Sequence, residues 1–338
     1  MLLLSISYIL LYLFGLALAS FDPSAKNNLA VYWGQNSANS ATSQTRLSDY
    51  CHGTNVNIIL LSFLTTLNGQ GGQPVLNFAN QGEHCDKTMQ PMKCREIEDD
   101  INFCQSRGKT ILLSLGGDGS AEVGYADDTA ARMGAAKIWQ MFGPDQKKPD
   151  VVRPFGSAVV NGFDFDFESA SKVQNAVAFM GGLREHMRTA SEGAPFYLSA
   201  APICSQAATG GHSSMESILD QLHLDMVFVQ FYNDKNCDVR NDFNFDKWNE
   251  WAKWKNTAIF VGLPASETAA PSGGYLAPNQ LKEKIWQAKG REKMAGAMLW
   301  DASQAWTNDY YHLKVKAALN ESSLRVRHWD ARPMDRAD

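Results

Sequence analysis

Eight short apolar runs of the strand type recur along the chain, and this recurrence constrains the fold more than any other feature. The runs are Leu29–Gln35, Asn57–Leu64, Thr110–Gly117, Gly162–Glu168, Phe196–Pro202, Met226–Asn233, Ile259–Ala265 and Gly296–Ala302. Most are apolar on both faces, which is typical of parallel strands covered by helices. Apolar residues at helical spacing follow several runs, as in 173–187, Gln280–Lys289 and Tyr310–Leu319. Eight strand–helix repeats predict an α/β fold, a single-domain (β/α)8 or TIM barrel.

The two ends of the chain are predicted to lie outside this barrel. Residues 1–19 form an almost unbroken apolar run ending in Ala17-Leu18-Ala19, which indicates a secretory signal peptide. An uncleaved membrane anchor, which needs about 20 apolar residues, is the alternative. Residues 325–338 are charged and lack periodicity, which is typical of a flexible tail. We therefore expect a secreted protein, without membrane contact after cleavage, whose barrel spans residues 20–324.

Charge and cysteine usage narrow the classes of partner. The net charge of −5 argues against nucleic acid, because phosphate binding needs concentrated Lys and Arg. The 6 cysteines behind a signal peptide indicate three disulfides, and their spacing contains no CxxC pair of the kind that binds zinc. Asn320-Glu321-Ser322 is an N-glycosylation sequon, which predicts a surface position for Asn320.

The fourth run carries the most chemical information, because acidic residues and phenylalanines alternate along it. Alternate side chains of a strand share a face, so Asp164, Asp166 and Glu168 lie opposite three phenylalanines. We expect the phenylalanines under the helices and the carboxylates inside the barrel. Carboxylates side by side in a low dielectric cannot all ionise, so at least one pKa rises. Glu168 comes last, at the mouth where barrel enzymes hold their catalytic groups, and a carboxyl that stays protonated can act as a general acid.

Two other interpretations of this strand stay open. A solvent-exposed strand with an acidic face would show the same alternation, although it would fit poorly into a series of strands and helices. The carboxylates could also bind Mg²⁺ or Ca²⁺. Their neighbours are aromatic rather than rich in oxygen, which favours a site with neither metal nor cofactor.

The chain resembles a known family at this strand and at four other places. The fourth run is similar to the DxxDxDxE signature of glycoside hydrolase family 18, in its plant and fungal class III chitinase branch, with Asn161 in place of the first Asp. The other matching segments are Tyr32-Trp33-Gly34-Gln35-Asn36, Ser114-Leu115-Gly116-Gly117, Gln230-Phe231-Tyr232-Asn233 and Met298-Leu299-Trp300. The resemblance spans residues 28–320 and implies endo-acting hydrolysis of chitin, the β-1,4-linked polymer of N-acetylglucosamine.

The resemblance implies a retaining, substrate-assisted mechanism in which no enzyme carboxylate attacks the sugar. Glu168 would protonate the glycosidic oxygen while the N-acetyl carbonyl of the substrate attacks the anomeric carbon and forms an oxazolinium ion. Asp166 would hold the acetamido N–H, and Asp164 would share a proton with Asp166. Tyr232 would hydrogen-bond the acetamido oxygen.

Substrate contacts are implied in the same way. Trp300 would form the apolar floor under the sugar ring. The other candidates for contacts with the sugar are Gln230, Tyr32, Asn233 and Ala201. Each aromatic could instead simply fill the barrel. Three residues of the third run are interpreted as close packing of strands: Ser114, Gly116 and Gly117.

The barrel placement also selects among the 15 ways of pairing six cysteines. It brings cysteines together after neighbouring strands, within one loop and on adjacent helices, and the resemblance implies the same pairs. The predicted bridges are Cys51–Cys104, Cys85–Cys94 and Cys204–Cys237.

The segment between the last two strands bears on the shape of the site. It has about 30 residues, enough for one helix and two short loops. Members of the family with deep tunnels carry a small inserted domain there, so its absence predicts an open groove and cleavage within the polymer. The expected protein is a monomer, extracellular or in a cell wall, with chitin or chitooligosaccharides as its partner. A chitin-binding lectin without activity and an endo-β-N-acetylglucosaminidase acting on N-glycans are the alternatives.

Asn161 is where the chain departs from the signature. An Asp at this position is expected to add a fourth carboxylate to the buried cluster and to raise the pKa of its neighbours. Asn161 is therefore expected to relieve repulsion and to give the enzyme an acidic working range.

Overall fold

The structure, a computed structural model, describes residues 21–53, 55–118, 124–144, 146–168, 173–190, 195–206 and 214–321. The expected signal peptide and the whole of the expected flexible tail lie outside these ranges, as does Ser322 of the sequon. Among the helices of the described ranges, none has the length and apolar character needed to cross a membrane.

The described strands close into the predicted barrel. They are β1 (Asn28–Trp33), β2 (Ile58–Thr66), β3 (Val75–Leu76), β4 (Thr110–Gly116), β5 (Gly162–Asp166), β6 (Tyr197–Ala200), β7 (Met226–Gln230), β8 (Ala258–Pro264) and β9 (Met294–Trp300). Eight of them pair in parallel in the order β1-β9-β8-β7-β6-β5-β4-β2, and a further β1–β2 pairing closes the ring. β3 is an antiparallel arm on the end of β2, which the sequence pattern did not reveal.

Helices cover the outside of the barrel. They are α1 (Arg95–Ser106), α2 (Asp128–Phe142), α3 (Ala176–Thr189), α4 (Ser214–Gln221), α5 (Phe245–Lys255), α6 (Pro278–Lys289), α7 (Ala302–Thr307) and α8 (Tyr311–Asn320). The three helices expected from periodicity correspond to α3, α6 and α8. Two of them begin later than expected because Asn175 and Tyr310 have φ of 57° and 51°, a left-handed conformation that no right-handed helix contains.

The strands divide the apolar residues into two layers, as the alternation on the fourth run predicts. Phe163, Phe165 and Phe167 belong to the large layer between strands and helices. A smaller cluster fills the barrel itself and includes Tyr32, Phe63, Phe228, Phe260 and Met298. The carboxylates of β5 therefore point into the barrel.

Disulfides and loops agree with the sequence predictions. The bridges Cys51–Cys104, Cys85–Cys94 and Cys204–Cys237 are formed, with Cα–Cα distances of 5.2, 4.3 and 5.8 Å. Residues 265–293 between β8 and β9, all described, contain one short 3-10 turn and α6, and hence no inserted domain. Asn320 is exposed at the end of α8, as expected for a glycosylation site.

Candidate active site

Three carboxyl groups rise through the barrel along β5 toward its C-terminal mouth. Asp164 and Asp166 lie on the strand and are 0% and 3% exposed. Glu168 was expected to be the last strand residue, but β5 ends at Asp166 and Glu168 stands two residues beyond it, half-buried. The glutamate therefore lies at the mouth with access to solvent, whereas the two aspartates lie below it.

Asp164 is held by three hydroxyl groups. It lies level with Ser114 of β4 and Ser199 of β6, and their Oγ atoms donate to it at 2.6 and 2.7 Å. The Tyr32 hydroxyl donates to Oδ2 at 2.8 Å. Burial raises the pKa of Asp164, and these hydrogen bonds oppose the rise.

Two interpretations of the sequence are revised by this network. Tyr32 was a candidate for a direct sugar contact, but its ring is 1% exposed and its hydroxyl is bound to Asp164. Ser114 was interpreted as a residue of strand packing only, and it donates to a buried carboxylate instead. Ser199, which the sequence interpretation missed, does the same from the other side. Inward-facing serines on the strands that flank an acidic strand were the signal for both.

Asp166 has a different partner. Nε2 of Gln230, at the end of β7, lies 2.9 Å from Asp166 Oδ1 and 3.1 Å from the carbonyl oxygen of Ala201. Burial raises the pKa of Asp166 well above its ordinary value, and the negative charges of Glu168 and then Asp164 raise it further. Asp164 accepts from three hydroxyl groups, and its negative charge acts on Asp166. The stronger repulsion on Asp166 comes from Glu168.

Glu168 has the titration behaviour expected of a general acid. Burial raises its pKa from an ordinary 4.5 to about 7, and the negative charge of Asp118 adds to the rise, while a hydrogen bond from Gln230 lowers it. At mildly acidic pH the carboxyl therefore carries a proton, which it can donate.

Aromatic side chains complete the mouth. Trp300 ends β9 and is half-buried, with its ring 5.4 Å from that of Tyr32 and 5.9 Å from that of Phe63. Tyr232 is 5% exposed, and burial, followed by the charges of Asp166 and Glu168, raises its pKa well above 10. Its hydroxyl therefore keeps its proton at neutral pH and can donate a hydrogen bond.

The other two expected sugar contacts serve partly to hold the site together. Ala201 is buried and accepts the hydrogen bond from Gln230. Asn233 is exposed, but its Oδ1 accepts a hydrogen bond from the backbone N–H of Ser272 at 3.0 Å. Its backbone N–H donates to the carbonyl oxygen of Gly273 at 2.9 Å. The loop after β8 is thereby fastened to the end of β7 beside Tyr232.

Asn161 lies at the opposite end of the barrel from Glu168. It precedes β5, and its Oδ1 accepts from the Ile111 amide and from Gln105 Nε2, both at 2.9 Å. Five residues of strand, roughly 17 Å, separate it from Asp166. Its side-chain partners thus lie on α1 and β4 rather than among the carboxyl groups that it was expected to join. The side chain joins β5 to its neighbours and takes no part in the mouth.

This mouth combines a carboxyl with a pKa of about 7, a second and buried carboxyl beside it, a phenol donor and an indole face. Such a set fits acid–base chemistry on a polar ring that has one apolar face, as a sugar has.

Comparison with known proteins agrees with this chemistry. The family profile "Glycosyl hydrolases family 18" matches residues 28–271. "Endochitinase 33" of Trichoderma harzianum is 41% identical over 320 residues, which cover 90% of this chain and 95% of that protein. "Class III chitinase" of Arthroderma benhamiae is 36% identical, over 92% and 91% of the two chains. The chain spans about half the length of the 39% identical "Endochitinase" of Saccharomyces cerevisiae, and the match covers 86% of this chain.

Solved structures show the same similarity. A chitinase from Ipomoea carnea superposes with a TM-score of 0.70 at 30% identity and covers 86% of this chain and 99% of its own. A xylanase and α-amylase inhibitor protein from Scadoxus multiflorus superposes with a TM-score of 0.71 at 27% identity, over 86% and 98%. The profile match over most of the barrel and the 41% identity to the Trichoderma protein together show the family of this chain. The chain belongs to glycosyl hydrolase family 18.

Proposed function

We propose that this protein is a secreted endochitinase that cleaves β-1,4 bonds between N-acetylglucosamine residues. The observation that carries the proposal is Glu168, a carboxyl at the barrel mouth with a pKa of about 7, next to buried Asp166 and in a family 18 chain. The relatives named chitinase support the substrate. The apolar run of residues 1–19 and three disulfides support secretion.

The first step is the transfer of the Glu168 proton to the glycosidic oxygen. As the bond from that oxygen to the anomeric carbon breaks, the carbonyl oxygen of the substrate's own acetamido group bonds to the anomeric carbon. The product is a cyclic oxazolinium ion, while the leaving sugar departs as an alcohol. Glu168, now a carboxylate, takes a proton from water as that water opens the ring. Two inversions at one carbon give net retention.

Asp166 and Tyr232 act on the acetamido group. Asp166 accepts the acetamido N–H, which orients the carbonyl oxygen and stabilises the positive charge of the oxazolinium ion. The Tyr232 hydroxyl donates to the acetamido oxygen, and its raised pKa keeps that donor present. Gln230 holds Asp166 in place from β7.

Asp164 acts from below through its charge. Three hydroxyl donors hold it in place. Its negative charge raises the pKa of Asp166. The same charge attracts and so stabilises the positively charged oxazolinium ion that forms toward the mouth. Tyr32 thus contributes by holding Asp164, and Trp300 offers its face to the apolar side of the ring.

The loops at the mouth favour cleavage within the polymer. Residues 265–293 add only a short turn and α6 outside the barrel strands, so they build no wall over the groove. We therefore expect a chain of sugars to enter from the side that this segment borders.

The test is digestion of chitohexaose and of an N-glycan, with products identified by mass spectrometry. The proposal predicts chitin fragments of several lengths from the hexamer and no cleavage of the glycan. Glu168→Gln should retain less than about 1% of the turnover yet still bind the oligosaccharide, because the amide fills the same space and donates no acidic proton. The matched control is Glu283→Gln, at an exposed position of α6, and this variant should behave as wild type. Binding without cleavage by wild type would favour the lectin alternative.

A further inference from the structure

The ends of β4 and β5 are held in close register at the barrel mouth. Gly116 pairs with Asp166, and the Gly117 amide donates to the Asp166 carbonyl at 2.8 Å, one residue beyond the strand. A Cβ atom on Gly116 would stand 2.4 Å from the Asp166 carbonyl oxygen, so only glycine permits this approach. Asp118 follows Gly117 directly, just as Glu168 stands two residues beyond Asp166, so the register of β4 and β5 places the two acidic residues at the same end of neighbouring strands.

Asp118 differs from the other carboxylates of the mouth because it is exposed. Its negative charge acts on both Glu168 and Asp166. Among the other elements around Glu168, β5 carries Asp166 and, deeper in the barrel, Asp164. Gln230 ends β7, and Tyr232 follows two residues later. Asp301, after β9, acts on Tyr232. Glu168 therefore meets the charge of Asp166 from its own strand and the charge of Asp118 from the side of β4.

We propose that Asp118 is a positioning residue for the proton of Glu168: its carboxylate repels a negative charge on Glu168 and so keeps the proton there until the glycosidic oxygen is bound. This inference rests on the proposed function, because it assigns Glu168 as the acid. Burial of Glu168 is fixed by the fold, whereas the contribution of an exposed charge can be removed by substitution and screened by salt. Asp118 contacts no reacting atom of the substrate and acts only through its electrostatic effect on Glu168.

The direction of the effect follows from the acid role. The reactive form of Glu168 is protonated, so kcat/KM falls as pH rises through its pKa. Removal of the Asp118 charge lowers that pKa and moves the alkaline limb of the profile to lower pH. For an exposed charge beside a half-buried one, the expected displacement is about 0.5 to 1 pH unit.

The experiment is a pH profile of kcat/KM on a fluorogenic chitotrioside for wild type, Asp118→Asn and Asp118→Glu. Asp118→Asn should equal wild type at pH 5 and be about three- to tenfold slower above pH 8, as a displacement of that size requires. Asp118→Glu keeps the charge and should keep most of the wild-type alkaline limb. Asp128→Asn, an exposed aspartate in the first turn of α2, removes the same formal charge and should change nothing. Equal losses at every pH in both Asp118 variants would overturn the proposal in favour of a structural role.

Two further measurements test the same effect, the first by screening the Asp118 charge with salt and the second without turnover. In wild type, 1 M NaCl should move the alkaline limb in the same direction as Asp118→Asn, and that variant should respond less. A ¹³C NMR titration of the Glu168 carboxyl should show a lower pKa in Asp118→Asn than in wild type, even if the substrate is not chitin. An unchanged Glu168 titration overturns the inference about Asp118, whereas a displaced titration in a protein without chitin hydrolysis overturns only the proposed function.

Discussion

Gln230 Nε2 donates a hydrogen bond of 2.9 Å to Asp166 Oδ1, and the same nitrogen lies 3.1 Å from the carbonyl oxygen of Ala201. The amide thus ties the carboxylate of β5 to the ends of β6 and β7. Asp164, two residues earlier on β5, takes its donors from β1, β4 and β6 instead. The two neighbouring aspartates therefore depend on separate sets of partners, and each set can be altered alone.

Replacing Gln230 by Leu should lower kcat by about ten- to a hundredfold. A hydrogen bond to a charged group contributes about 1.5–3 kcal/mol, and each 1.36 kcal/mol is tenfold in rate. Asp166 would lose its side-chain donor and would no longer be held toward the acetamido group. Steady-state kinetics on a chitotrioside measure the effect, and Gln280→Leu on α6 provides the control. A kcat within twofold of wild type would contradict the assigned role.

The raised pKa of Glu168 predicts that this carboxyl destabilises the fold at neutral pH. A carboxyl whose pKa is higher in the folded protein than in the unfolded chain contributes stability that is fully present below the unfolded pKa. This stability is lost as pH rises through the folded pKa. The difference between 4.5 and about 7 corresponds to about 3 kcal/mol. Glu168→Gln should therefore match wild type at pH 4 and exceed its free energy of unfolding by about 3 kcal/mol at pH 8.

The comparison with wild type is needed because another group acts in the opposite direction. His312 is buried against Trp306, and burial lowers its pKa from 6.5 to about 4. Its folded form resists protonation, so the protein loses stability as pH falls from about 6.5 toward 4. Urea unfolding of both proteins at each pH cancels this contribution. A difference that stays constant between pH 4 and pH 8 would show that the Glu168 pKa is not raised.

The disulfides should contribute to stability in the order of their loop lengths. The bridges close loops with sequence separations of 53, 33 and 9 residues. Chain entropy gives about 4 kcal/mol for each of the two longer loops and about 3 kcal/mol for Cys85–Cys94. Paired Cys→Ala variants, unfolded in urea, test the order. A larger loss from the 85–94 pair than from the 51–104 pair would contradict it.

Asn161→Asp should leave the pH–rate profile unchanged. The side-chain oxygen at this position accepts from Ile111 and Gln105 at the far end of β5, and a carboxylate accepts the same two bonds. The position is only half-buried and lies roughly 17 Å of strand from Asp166, so water and salt at this end of the barrel weaken the effect of an added charge. The profile of kcat/KM against pH on a chitotrioside decides this. A displaced limb would mean that the position does act on the cluster.

Sequence periodicity predicted the barrel and the face on which each β5 side chain lies, because a strand has a period of two wherever it occurs. It did not show the partners of Asn161, whose side chain was expected beside the carboxyl cluster and instead bonds to Ile111 and Gln105 before the start of β5. It also missed Asp118, since a Gly-Gly-Asp segment reveals a neighbour of Glu168 only once β4 and β5 are in register. Tyr32 shows the same limit: its strand was predicted, but its bond to Asp164 depends on the curvature of the closed barrel.

The most direct test of the account is the configuration of the first product. Chitotetraose is digested at a high concentration of enzyme, and the anomeric protons are followed by ¹H NMR before mutarotation equalises them. Attack by the acetamido oxygen, followed by water, predicts that the β-anomer appears first and that a thiazoline analogue of the oxazolinium ion inhibits competitively. Initial formation of the α-anomer would mean a single inversion by water and would contradict the substrate-assisted mechanism.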